Sequence, residues 1–202
     1  FKMPVHIMVN NGEITDHTVW VEDEETVFDL LCTSRPKMVI FNSGMRIPCK
    51  LKMEKSVADL KFQLQNASHV LDRIWAAHEL SKKKGRKVVE YMLLDAAKTD
   101  PFWGVRKEAA IAFGKLKPKI QFEDYVWINN EHDSRVKRAL LGVLKNYKGD
   151  VGVSNFLQSV IRADTNYYVI ADAFKTLVAV DSSSAKQYVD GLLNTESHND
   201  TI

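Results

Sequence analysis

The pattern nearest to a catalytic metal helix in these 202 residues is His78-Glu79-Leu80-Ser81-Lys82. A His-Glu-x-x-His helix grips zinc with two imidazoles one turn apart and uses the glutamate as general base. Here the second imidazole position holds Lys82, and an ammonium does not replace that ligand at neutral pH. The stretch therefore reads as the end of an amphipathic helix, with the lysines at 82–84 placed where the helix dipole favours cations.

Other reactive-looking patterns are equally incomplete. His6, His17, His69, His132 and His198 are scattered, with no Cys or carboxylate at metal-ligand spacing. Ser154 stands between small residues in GVSNFL, without the strand, Gly-x-Ser-x-Gly and helix context of a nucleophile elbow. No phosphate-binding glycine loop occurs. The basic run KKKGRK at 82–87 lacks interleaved aromatic stacking platforms and reads as a solvated connection between helices. Trp20, Trp75, Trp103 and Trp127 are read as packing rather than as a stacking site for ligands. No catalytic, cofactor-binding or metal residue is assigned.

Composition narrows the class further. Hydrophobic residues make up 45% of the chain, enough for an ordinary core. Lys and Arg number 28 against 26 Asp and Glu, so the formal charge of +2 creates no strong field toward nucleic acid or membrane. Two cysteines, Cys32 and Cys49, are too few for a disulfide framework and leave open whether they pair. Neither a long apolar span nor a secretion signal is read, so a soluble chain of undetermined compartment is expected. The chain begins at Phe1 directly in strand-like sequence, which suggests a processed product or a piece of a longer protein.

The elements that must position any site change character near residue 55. Val5, Ile7 and Val9 alternate, and Asn10-Asn11-Gly12 supplies residues that tolerate positive φ at a hairpin turn. EITDHTVWVE, ETVFDLLC and KMVIFN follow as strand-like runs, separated by the acidic loop at 22–25 and by Pro36. These predict a small antiparallel, Ig-like β-sandwich over residues 1–54. From Ser56, an N-cap candidate, the apolar residues recur at helical spacing, beginning with Val57, Leu60 and Leu64. Short amphipathic helices then run to the end, punctuated by 84–86, Asp100-Pro101, Pro118, Gly149-Asp150, 164–166 and the serines at 182–184.

One helical stretch repeats. VRKEAAIAFGKL at 105–116 aligns with VKRALLGVLKNY at 136–147, placing Val105 over Val136, Ala109 over Leu140 and Phe113 over Leu144. NYYVIADAFKTL at 166–177 sets Phe174 beneath Phe113 and Leu177 beneath Leu116, and RIWAAHEL at 73–80 is a divergent earlier copy. A period near 30 residues predicts an α-solenoid of helix pairs over 55–202, each pair too short to be stable without its neighbours. Ahead of the helix, Asp100 is expected to cap exposed amides and Pro101 to occupy a first-turn position that needs no amide hydrogen. Arg106 is expected to reach an acidic residue of the neighbouring repeat or a loop carbonyl. The Asp, Val-Arg, Ala pattern resembles the HEAT repeat. The fold class is thus α+β, a small sandwich followed by HEAT-like helix pairs.

The junction carries a second resemblance. Residues 35–80, RPKMVIFNSGMRIPCKLKMEKSVADLKFQLQNASHVLDRIWAAHEL, resemble the domain boundary in aminopeptidase N-like zinc metallopeptidases of the gluzincin class. In that family a strand with a Pro-containing segment leads to a Lys-Ser helix start and an Arg-x-x-Ala-Ala helix; here these are Pro36, Lys55-Ser56, and Arg73 with Ala76 and Ala77. The resemblance covers the chain as the last two domains of such an enzyme. It implies a catalytic domain upstream, bearing zinc on His-Glu-x-x-His and a Gly-x-Met-Glu-Asn motif, neither of which occurs here. This chain would then be catalytically silent. Its expected partners are the upstream catalytic domain and the parent's peptide substrates, with neither nucleic acid nor membrane. A stand-alone scaffold binding protein partners on the concave face of its repeats is the alternative.

Overall fold

A computed structural model describes residues 3–10, 13–119 and 125–195. The fold is α+β. A three-stranded antiparallel sheet comes first and helices follow.

Strands β1 (Met3–Asn10), β2 (Ile14–Val21) and β3 (Met38–Phe41) pair in the order β2-β1-β3. β1 and β2 form the hairpin announced by the alternation, in a register that sets Val5 opposite Val19 and Asn10 opposite Ile14. Turn residues Asn11 and Gly12 lie outside the described residues. Period-two side chains divide the central strand between two apolar clusters. Val5, Ile7 and Val9 pack with Val19, Val21, Leu30, Val39, Phe41 and Ile47, while Met8 joins Met38, Ile40, Phe62 and Ala67.

The strand expected over ETVFDLLC does not form; residues 22–37 contain no strand. Only Leu30 of that run packs on the sheet, whereas Val27 and Leu31 are 82% and 99% exposed. With one anchor and no partner strand, the segment gains too little burial to hold a ladder. Among the described residues there is therefore one sheet.

Two helices belong with this sheet. Helix α1 (Val57–Asn66) starts where expected: Ser56 Oγ accepts from the Asp59 amide and the Asp59 carboxylate accepts from the Ser56 amide, a reciprocal capping box. Helix α2 (Val70–Leu80) follows. The chain divides into two compact units at residues 83 and 84, so α1 and α2 lie in the first unit although the strand-to-helix change falls near residue 55.

The second unit contains α3 (Lys87–Thr99), α4 (Trp103–Leu116), α5 (Ser134–Val143), α6 (Val151–Ala163), α7 (Tyr167–Val180) and the short α8 (Ser182–Ala185) and α9 (Val189–Leu193). α4 packs on α5 and α5 on α7, while α3 pairs with α4 and α6 with α7. Helices α4 and α5 begin at equivalent points of the repeat, and Val105, Val136, Ala109, Leu140, Phe113 and Leu144 are all buried. Gly114 allows the close approach of α4 to α5: a Cβ there would sit 2.9 Å from Val143 Cγ2. Residues 120–124 lie outside the described residues, and Trp127–Asn130 forms a 3-10 turn.

Candidate functional site

The most developed polar cluster lies in the first unit, where β3 passes into α1. After Phe41 the chain turns sharply. Asn42 adopts a left-handed conformation (φ 55°), as does Gly44 (φ 72°). The Asn42 side chain extends the turn like a strand partner, donating to Ile47 O at 2.8 Å and accepting from Ile47 N at 3.1 Å.

This turn is fastened to α2 by Asp72, which is only 2% exposed. Its carboxylate accepts from Ser43 Oγ at 3.0 Å and from the Gly44 amide at 3.0 and 3.1 Å. Burial pushes the Asp72 carboxyl above the usual range, against the lowering effect of these donors and of His69 and Lys55. Gln63 of α1 donates to the Asp72 carbonyl at 2.8 Å and accepts from the Lys55 ammonium. Lys55 also donates to Val39 O, so one side chain ties β3 to α1. Its nitrogen lies 5.3 Å from the centre of the Trp75 ring. Burial lowers the Lys55 pKa from 10.5 to about 8, with Asp59 and Asp72 acting in the opposite direction. These groups line a cavity of about 140 Å³ whose other walls include Ile40, Ile47, Met53 and Trp75.

Sequence reasoning placed Lys55 only at a helix start and did not single out Gln63 or Asp72. A signal existed: Leu60, Gln63 and Leu64 share one helical stripe, and a lone amide on a buried stripe demands partners.

In the second unit a carboxylate device recurs. Asp100, Glu131 and Asp164 each stand three residues ahead of a helix start, at Trp103, Ser134 and Tyr167. Each carboxylate accepts from the amide two residues on: Phe102 at 2.9 Å, Asp133 at 2.8 Å and Asn166 at 2.9 Å. Asp100 thus supports the turn before the N-cap Phe102, and Pro101 precedes the N-cap, a correction to its expected first-turn position. The aligned bases Arg106 and Lys137 reach the acid ahead of the next of these helices. Arg106 contacts Glu131 at 3.0 and 3.1 Å, and Lys137 contacts Asp164 at 2.6 Å. Arg106 also donates to the carbonyls of Asp100 and Pro101, so it reaches both an acid and loop carbonyls.

The incomplete motifs stay apart. Lys82 pairs with Glu79 at 2.5 Å, and His78 Nδ1 is 3.5 Å from the same carboxylate, an arrangement that occupies the glutamate and does not fit a zinc grip. His17 contacts Thr15, and His69 is the N-cap of α2; His198 and the His6 side chain lie outside the described residues. Among the described residues no three His, Cys, Asp or Glu side chains converge as a metal site, and Cys32 and Cys49 are exposed and unpaired. Ser154 is buried and donates to Asp181 at 2.9 Å, a structural bond. Three tryptophans meet cations: Trp75 with Lys55, Trp103 with Arg135 at 3.4 Å and Trp127 with Lys98 at 5.1 Å. Trp20 is 55% exposed on β2, against its reading as packing. No described helix is long and apolar enough to cross a membrane.

No family model matches the sequence, and no curated protein matches it. Among solved structures, the crystal structure of Legionella pneumophila aminopeptidase A in complex with aspartic acid is similar over 95% of this chain and 26% of that chain, at 17% identity and a TM-score of 0.40. The chain spans about a quarter of that aminopeptidase.

Proposed function

We propose that this chain is a non-catalytic C-terminal portion of an aminopeptidase-like metallopeptidase. The sheet acts as a sandwich-type spacer, and the helices as a HEAT-like solenoid that packs on an upstream catalytic domain and shapes access to its active-site chamber. Carrying the proposal is the junction, where three residues of the resemblance, Lys55, Ser56 and Arg73, have a structural task. Lys55 ties β3 to α1, Ser56 caps α1, and Arg73 donates to the carbonyls of Ala67 and Ser68 at 2.9 and 3.3 Å, fixing the turn between α1 and α2. These bonds hold β3, α1 and α2 together within the first unit.

Zinc belongs to the upstream domain in this proposal, since the residues at 78–82 do not fit it. The isolated chain, supplied with zinc and aminoacyl reporter substrates, is expected to release no product; turnover above the buffer rate contradicts the proposal.

A scaffold role is favoured by one observation. Val88 and Tyr91, one turn apart on α3, are 51% and 69% exposed, an apolar pair available to a protein partner. Whether that partner is a domain of the same polypeptide or a separate protein distinguishes the two roles.

A further inference from the structure

We propose that the groove between α4 and α5 binds an acidic segment of a partner protein in extended form, with Lys115 and Lys145 receiving its carboxylates. The inference names a partner chemistry for the scaffold role and rests on that reading, not on the aminopeptidase proposal. The groove lies wholly in the second unit.

The first observation is charge without a counterpart. Lys115, Arg138 and Lys145 line a groove of about 370 Å³, and among the described residues no carboxylate does. Both lysines are exposed, and neither has a hydrogen bond or ion pair among the described residues. Arg138 donates from Nε to Asp172 of α7 at 2.6 Å and lies 5.1 Å from the centre of the Tyr168 ring. Asp172 is itself shared with Lys175, at 3.9 Å, so this edge keeps an excess of positive charge. The helix dipoles favour a lysine at the carboxyl end of α4 or of α5, but they do not account for a lining free of acids.

The second observation is shape. Asn146 donates to the Gly114 carbonyl at 3.2 Å, so the carboxyl ends of α4 and α5 lie side by side. On the groove floor Gly142 faces open space, since a Cβ there would meet no atom within 4 Å. Glycine weakens a helix relative to alanine, and packing at this position does not demand it. Its missing side chain keeps the floor low, with Ile111 and Ala139 as apolar walls.

These features fit a polypeptide. Packed helices lie about 8–10 Å apart, a distance that roughly three residues of extended chain span at about 3.3 Å each. A Glu-x-x-Glu segment crossing the groove therefore brings one carboxylate to each lysine and small apolar residues over Gly142. Single-stranded nucleic acid fits less well, because among the described residues no aromatic ring lines the groove for bases to stack on. A lone phosphate ion also fits less well: Gly114 and Gly142 lie within helices, where their amides are spent on the helix rather than presented to an anion.

The test follows the fluorescence anisotropy of a labelled Glu-Gly-Ala-Glu-Gly-Ala-Glu peptide titrated with the full chain at low ionic strength. Its glutamine counterpart and a single-stranded DNA oligonucleotide of equal charge are run beside it. The acidic peptide is expected to bind at least about tenfold more tightly than the glutamine peptide, and to weaken as salt is added. Combining Lys115→Glu with Lys145→Glu is expected to cost at least about tenfold in affinity. Combining Lys84→Glu with Lys87→Glu, the same charge change at exposed residues outside the groove, is expected to leave the affinity within about twofold of wild type. Gly142→Leu fills the floor while favouring the helix, and is expected to weaken binding about tenfold with an unchanged circular dichroism spectrum. No binding of the acidic peptide, equal losses from the two lysine pairs, unchanged affinity for Gly142→Leu, or tighter binding of the DNA overturns the inference. The scaffold reading, which stands on Val88 and Tyr91, survives each of those results.

Discussion

Arg106 and Glu131, 25 residues apart, meet through two hydrogen bonds of 3.0 and 3.1 Å in a largely buried ion pair. The glutamate at the same time holds the Asp133 amide, and the arginine holds the carbonyls of Asp100 and Pro101. One contact therefore fixes the turns ahead of both α4 and α5. Removing one partner leaves the other charge buried without its counterpart, a loss of about 3–5 kcal/mol. Arg106→Ala is expected to lower the urea midpoint accordingly, with Arg106→Lys recovering only part because it cannot donate in the same fork. A double-mutant cycle with Glu131→Gln that returns no coupling contradicts this role.

The capping box of α1 gives a smaller effect. Ser56→Ala removes the acceptor for the Asp59 amide and is expected to cost about 1 kcal/mol in chemical denaturation. Ser56→Asp should retain most of the stability, since aspartate also accepts at an N-cap. An unchanged midpoint for the alanine variant would remove the box from the account.

Lys55 makes stability depend on alkaline pH. Its folded pKa of about 8 lies below the ordinary 10.5, so across that interval the unfolded chain holds a proton that the folded chain has released. Stability attributable to this group therefore rises as pH goes from about 8 to 10.5, and near neutral pH the cost of the buried charge is fully present. The stability of the wild-type chain relative to Lys55→Met, measured by urea denaturation, is expected to climb over this interval. A flat difference would contradict the shift.

Asp181 acts at the acid end. It caps α8 and accepts from Ser184, Ser154 and Ser183, and the Ser184 donors are the leading cause of a pKa well below the ordinary 3.8. The stabilisation is present above 3.8 and is lost as pH falls below that value. Thermal melts followed by circular dichroism should show Asp181→Asn less stable than wild type at neutral pH, and the two should converge in strong acid. Parallel curves throughout would show that the carboxylate charge is not responsible.

What the sequence revealed, and what it hid, follows from the range of the interactions. Period-two placement of Val5, Ile7 and Val9 and the helical spacing of Leu60 and Leu64 depend on local geometry, and both the hairpin and α1 form accordingly. Arg106 could be assigned a partner in the next repeat because the 31-residue offset places equivalent turns in sequence order. ETVFDLLC has the composition of a strand, but strand formation needs a neighbour, and composition does not state that only Leu30 finds one. The Lys55, Gln63 and Asp72 cluster was hidden for the same reason. Each looks like an ordinary surface residue until β3, α1 and α2 bring them around one cavity.

The central claim, that the chain is the silent end of a larger metallopeptidase, is tested most directly by sequencing the transcript upstream of Phe1. An open frame continuous with this chain and encoding both a His-Glu-x-x-His helix and a Gly-x-Met-Glu-Asn motif is the predicted result. A start codon immediately before Phe1, or an upstream frame without the zinc motif, would contradict it.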